Sequence, residues 1–242
     1  MLIAERFTAA YDDFGAGAWA GPELLPVRLA KACAKVLPVA GAGISMFGSS
    51  ELRIPVGASD NAAATAERLQ FTAGEGPCLE AHALSRSVQA TESLMAQRWP
   101  QFYTELLAST PFRAITAIPF LHELKGAGTV DLLFHSSADM AELDIAAADA
   151  VIAQLEHLLR TGSAPEFSQL GTGPAWLSSP SADSRNTVLI AMGFLNVALE
   201  VSTADALALL RGRAYTDNRT VDDIARDVID RRLTIDAVQI DP

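Results

Sequence analysis

Cysteine is nearly missing from this chain. Cys33 and Cys78, in unrelated contexts, are too few for a disulfide framework or a tetrahedral thiolate site, and they suit a reducing cytoplasmic setting. Long apolar runs are missing as well. None approaches the ~18–20 residues of a membrane span, and Glu5 and Arg6 interrupt the N-terminus where a signal peptide would need its apolar stretch. Positive charge is scarce: 18 basic residues stand against 29 acidic ones, for a net charge of -11. Residues 161–242 hold seven Arg, no Lys and eleven acids, a local balance of -4. Proteins that hold nucleic acid by field alone carry a strong positive balance, so any such contact here has to come from a local arginine patch.

Arrangements that carry catalysis are also absent. His82, His122, His135 and His157 fall at no metal-ligand spacing and adjoin no cysteine or carboxylate cluster. Gly74-Glu75-Gly76 lacks the lysine and the strand-to-helix spacing of a phosphate loop. Asp139, Glu142 and Asp144 read as charges at a helix start, and no paired-carboxylate site stands out. The chain is expected to be no enzyme and to hold no metal.

What is present is organised. Residues 1–36 read as largely helical, with Leu24, Leu25, Val27, Leu29, Ala30, Cys33 and Val36 on one stripe. Short strands follow at Ile44–Phe47 and Leu52–Val56 around a Gly48-Ser49-Ser50 turn, and at Ala114–Phe120 and Thr129–Phe134 around Lys125–Gly128. Asp60 is placed to cap a helix through Leu69. Asp131 interrupts the last strand, which predicts that one of its faces meets water or a pocket. Leu143–Leu159 makes a long helix, and the order of elements implies an α+β fold with an antiparallel or mixed sheet.

The C-terminal third carries three short amphipathic patterns back to back. The first runs through Val188, Ala191 and Leu195. The second opens at Ser202 with Asp205 three residues on; the third opens at Thr220 with Asp223 three residues on. A hydroxyl cap followed by an acid satisfies the orphan amides and dipole of a helix start. Such short helices bury their stripes only against each other or a partner. The organisation is therefore residues 1–160 as one domain, a Gly, Ser and Pro-rich linker at 161–183, and a helical module at 184–242. Phe167, Leu170 and Trp176 suggest that parts of the linker dock on a neighbour.

Arg211, Arg213, Tyr215, Asn218 and Arg219 form the candidate binding set. Arg211 and Tyr215 are four apart and share a helix face, and Asn218-Arg219 lies in the turn that follows. Guanidinium planes, an aromatic ring and an amide suit a splayed RNA loop, whose bases stack while their edges are hydrogen-bonded. The alternative is scaffold: Arg211 pairing with Asp205 or Asp223, and Tyr215 in the core. Cys78 follows a Gly-Glu-Gly-Pro turn, where a helix N-terminus would lower its pKa, yet no base accompanies it and burial is the commoner fate. His122, at a strand end, is placed to reach a pocket or ligate haem, although such a residue is more often solvated or singly hydrogen-bonded.

Two resemblances add to this. Val188, Ala191, Gly193, Val201, Ser202, Ala206, Leu210-Arg211, Asn218-Arg219, Ile224-Ala225 and Val228-Ile229 resemble the ANTAR domain, a three-helix RNA-binding module of bacterial antitermination regulators. Ile190 and Met192 depart from it where relatives often carry polar residues. The segment Leu69–Ala81 resembles the loop of GAF domains in actinobacterial two-domain regulators, and the likeness extends over about residues 20–160, including Trp99-Pro100. GAF folds enclose a small-molecule pocket on one face of an antiparallel sheet, and their ligands are diverse. The resemblances together imply a sensor of an unnamed signal joined to an output module. By the same resemblance, that module would bind RNA stem-loops as a homodimer and let transcription continue past a terminator. A protein-interaction or small-molecule switch that has lost RNA binding, and a redox sensor centred on Cys78, are the alternatives.

Overall fold

Alternation within the strands decides the architecture. In the computed structural model, which describes residues 2–49, 52–162, 174–178 and 180–238, five strands form one antiparallel sheet in the order β2-β1-β5-β4-β3. These are β1 (Gly41–Ser49), β2 (Leu52–Ala58), β3 (Val88–Ala90), β4 (Ala114–Pro119) and β5 (Gly128–Phe134). On β5, Val130, Leu132 and Phe134 turn to one face. They pack there with α1 (Ile3–Asp13), α2 (Leu25–Val36) and α8 (Ile145–Thr161). Leu133, with Ile115 and Ala117 of β4, turns to the other face and meets α3 (Asn61–Ala73), α4 (Pro77–Leu84), α5 (Glu92–Arg98) and α6 (Pro100–Ser109). Helices cover both faces, so β4 and β5 are buried along their whole length. The fold is α+β, with helices on both sides of an antiparallel sheet.

Local chemistry matches the sequence at the three helix caps it marks. Asp60 Oδ1 accepts from the Ala63 amide at 2.8 Å and starts α3. Ser202 and Thr220 cap α10 (Thr203–Thr216) and α11 (Val221–Ile229), accepting from the Asp205 and Asp223 amides at 3.1 and 3.2 Å. The short α7 (Ser137–Ala141) follows β5. Most of the expected linker, residues 163–173 and 179 with Phe167 and Leu170, lies outside the described residues, as does Ser50 of the expected β1–β2 turn. Trp176, in a 3-10 turn at Ala175–Ser178, is buried in the same core as α1, α2 and α8.

One expectation is overturned. The break at Asp131 predicts a face turned toward water or a pocket, but that face of β5 is closed over by α3 and α4, and Asp131 is buried among polar side chains. The carboxyl is tolerated because the covering helices and β2 bring it partners.

The C-terminal helices keep a core of their own. Val188, Ala191 and Leu195 of α9 (Pro180–Leu199) meet Ala206, Leu207, Leu210 and Ala214 of α10 and Val221, Ile224, Ala225 and Val228 of α11. The short α12 (Ile235–Val238) adds Val238. One residue in this core comes from elsewhere: Phe71, near the C-terminal end of α3, is fully buried in it. No single helix among the described residues is long and apolar enough to cross a membrane.

Phe71→Ala is expected to destabilise the protein by about 3–5 kcal/mol, the usual range for a large aromatic removed from a core. Amide hydrogen exchange should show the loss concentrated in residues 188–228, with the sheet still protected. Equal loss across sheet and C-terminal helices would refute a joint at this residue.

Candidate functional site

The segment Leu69–Ala81 turns out to be the joint between the two halves of the chain. Gly74 ends α3 in a left-handed conformation, φ +71°, and its amide closes on the Gln70 and Phe71 carbonyls. The conformation calls for glycine, and a Cβ at Gly74 would also stand 2.8 Å from the Arg211 guanidinium carbon and displace that group. Arg211 Nε and Nη2 each donate to the Phe71 carbonyl at 3.2 Å. The Thr72 hydroxyl accepts from the Val221 amide at 3.1 Å, satisfying a free N–H at the start of α11. Arg185 of α9 stacks on the Phe71 ring, 3.4 Å from its centroid, and Arg211 lies 5.4 Å from the same point.

Behind Phe71, buried polar groups join α3, α4 and the sheet. Arg53 of β2 donates to the Glu67 carbonyl at 2.8 Å and to Cys78 Sγ at 3.0 Å, and forms an ion pair with the Glu67 carboxylate. Its Nη2 also lies 3.6 Å from Asp131 Oδ2, which accepts from Gln70 at 2.6 Å. Gln70 in turn accepts from the Cys78 amide at 3.0 Å, and Ser45 donates to Glu67 at 2.6 Å. Burial first, and then the nearby Glu67 carboxylate, hold the Asp131 carboxyl well above its usual range. That favours the protonated acid, and a side-chain hydrogen bond with Glu67 acts in the same direction.

Cys78 is fully enclosed, with Sγ 2.8 Å from Thr129 Oγ1, and burial pushes its thiol well above the ordinary value. A thiolate here is disfavoured, and no oxidant reaches the sulfur without opening the fold. Burial likewise pushes the Cys33 thiol up to about 12. His122 sits apart from Cys78, on the side of the sheet covered by α8. Its Nε2 lies 3.1 Å from Asp149 Oδ1, and its amide is one of three in residues 121–124 that donate to Glu156. No cluster of three metal-ligating side chains occurs among the described residues.

Four of the five residues of the arginine and tyrosine set converge. Arg211, Tyr215, Asn218 and Arg219 line a cleft of about 800 Å³ between α10–α11 on one side and α3 and α6 on the other. Tyr215 is 71% exposed, so it belongs to the surface and not to the core. Arg219 donates to Asp227 at 2.7 Å yet stays partly open to solvent. Asn218 takes the left-handed conformation that ends α10's turn. Arg213 points elsewhere: two residues from Arg211 on a helix, it pairs with Asp217 at 2.8 Å and donates to the Ala237 carbonyl at 3.0 Å, tying α10 to α12.

Sequence reasoning missed Arg53, Glu67, Phe71 and Arg185. A signal existed for the first: Arg53 and Asp131 each break an apolar strand run, and opposite charges in two such runs are what a buried pair requires. Arg185 had none. It is buried beside Asp222, 3.6 Å away, and burial lowers its pKa to about 10, with Arg53 and Arg211 adding to the effect against Asp222.

Asp131→Asn keeps an acceptor for Gln70 and supplies a permanent donor to Glu67. Below about pH 4 the wild-type acid is protonated folded and unfolded. Above that, the unfolded chain sheds a proton that the folded protein retains, so wild-type stability falls with rising pH until the folded carboxyl titrates. Denaturant titrations should show the variant gaining on wild type as pH rises from 4; a difference that shrinks with pH would contradict a raised Asp131. No family model and no curated protein matches the chain, which leaves its geometry and chemistry as the guides to function.

Proposed function

We propose that the chain is a signal-responsive regulator of transcription antitermination, non-enzymatic and cytoplasmic. A GAF-like sensor precedes an ANTAR-like module that binds RNA stem-loops. The observation that carries the reading is the exposed Tyr215 ring set beside Asn218 and Arg219 at the mouth of a cleft. An aromatic face, a carboxamide and guanidinium groups together suit unpaired bases, which stack and offer their edges. The antiparallel sheet covered by helices on both faces supports a GAF-like sensor. Three helices around one core, two of them capped by Ser202 and Thr220, support an ANTAR-like output. In the sensor, the face that would enclose a ligand is filled next to Cys78 by Arg53, Glu67, Gln70 and Asp131. Two copies acting together, through the helices that open and close the sensor, would raise a weak single-loop affinity by effective concentration.

A second reading, a module that docks another protein, is favoured by one observation. Ile190, Phe194 and Val197 on α9 are 53%, 49% and 84% exposed, and their spacing places them along one face. Enclosure of Cys78 gives a redox reading no comparable support.

Because Arg211 also holds the joint, the informative variant spares it. Tyr215→Ala with Arg219→Ala should weaken binding of a labelled RNA hairpin by about 1–3 kcal/mol for the lost stack alone, with the circular dichroism spectrum unchanged. Wild-type affinity should fall steeply between ~50 and ~200 mM salt. Equal binding by variant and wild type would remove these residues from the interface, and no binding at low salt would favour the protein-docking reading.

A further inference from the structure

The cleft that holds Tyr215 and Arg219 has a second wall, and that wall belongs to the sensor. Arg68 of α3 and Gln101 and Thr104 of α6 face it across from α10 and α11. We propose that the cleft is a composite nucleotide site, taking one or two unpaired nucleotides between the two halves of the chain, with Arg68 and Gln101 contacting them as directly as Tyr215 and Arg219 do. The proposal rests on the RNA-binding reading above and assigns half of that site to the sensor.

Size and donor chemistry converge on this class of ligand. A volume of about 800 Å³ falls within the roughly 300–1,000 Å³ of sites that enclose small molecules. A duplex presents its bases edge-on inside grooves and cannot enter a concavity of this size; an unpaired base can. Three guanidinium groups, Arg68, Arg211 and Arg219, line the cleft against two carboxylates, Glu105 and Asp223. Arg219 also pairs with Asp227, so the cleft is close to neutral on a chain of net charge -11, and its guanidinium forks offer phosphate bidentate donors rather than a strong field. The carboxamides of Gln101 and Asn218 offer both donors and acceptors, as base edges require. Since both walls are needed, a bound nucleotide favours the docked arrangement of sensor and module, and a signal that loosens the joint at Phe71 splits the site.

The test uses the full chain. Binding is measured by fluorescence anisotropy with an RNA hairpin carrying a six-nucleotide loop, and by calorimetry with AMP and GMP, at fixed ionic strength. Arg68→Gln and Gln101→Ala should each lower hairpin affinity five- to twentyfold with unchanged circular dichroism, while Arg86→Gln, an exposed arginine outside the cleft, leaves it unaltered. Hairpin binding that is sensitive to Tyr215→Ala but indifferent to both sensor-wall variants would overturn the composite site and leave the RNA reading standing. Saturable binding of AMP or GMP that depends on Arg68, without hairpin binding, would support the cleft and displace RNA as its occupant. No binding of either probe would overturn both.

Discussion

Phe71 joins the two halves of this protein through its ring and its backbone together. Its ring completes the core of the C-terminal helices, and its carbonyl accepts both hydrogen bonds from Arg211. The contact is apolar and directional at once. The ring supplies burial, which has no preferred orientation, and the paired guanidinium donors fix how the helices sit. Arg185 on the ring face adds a cation, closely stacked but long, at 3.6 Å, from its carboxylate Asp222. None of the guanidinium nitrogens of Arg185 has a hydrogen-bond partner among the described residues. A buried cation that is stacked but poorly hydrogen-bonded stabilises a joint less than a full ion pair would.

The polar network behind Phe71 makes α3 a stiff element. Arg53 binds its backbone at Glu67, and Gln70 links it to β5 and α4. Residues 67, 70 and 71 lie within about one helical turn. The first two are fixed by the sheet, and the third enters the C-terminal core. β5 is thus joined to the C-terminal helices through little more than one turn of α3, while β2 also packs on α9 directly.

Much of the fold was readable from the sequence because it is local. Helix stripes, the caps at Asp60, Ser202 and Thr220, and the four main strands follow from spacing and from side chains that satisfy nearby amides. The shared face of Arg211 and Tyr215 was readable for the same reason. What could not be read is long-range. Arg211 finds its acceptor 140 residues earlier, and no periodicity in the helical module announces a ring supplied from outside. Arg213 sits beside Arg211 in sequence yet turns to α12, because two residues on a helix point to nearly opposite sides. Asp131 looked like a mark of exposure because its partners lie on β2 and α3, and pairing across a sheet is invisible to a strand read alone.

The two fixed points on either side of the connecting stretch have a thermodynamic consequence. Glu156 latches α8 to the loop after β4 through the amides of Leu121, His122 and Leu124. Trp176 then plants the returning chain in the same core, just before α9 begins. The C-terminal helices are thereby tethered within short reach of Phe71, and their association with it is unimolecular. Its equilibrium is independent of how dilute the protein becomes, so contacts too weak to join separate molecules suffice to keep the two parts together.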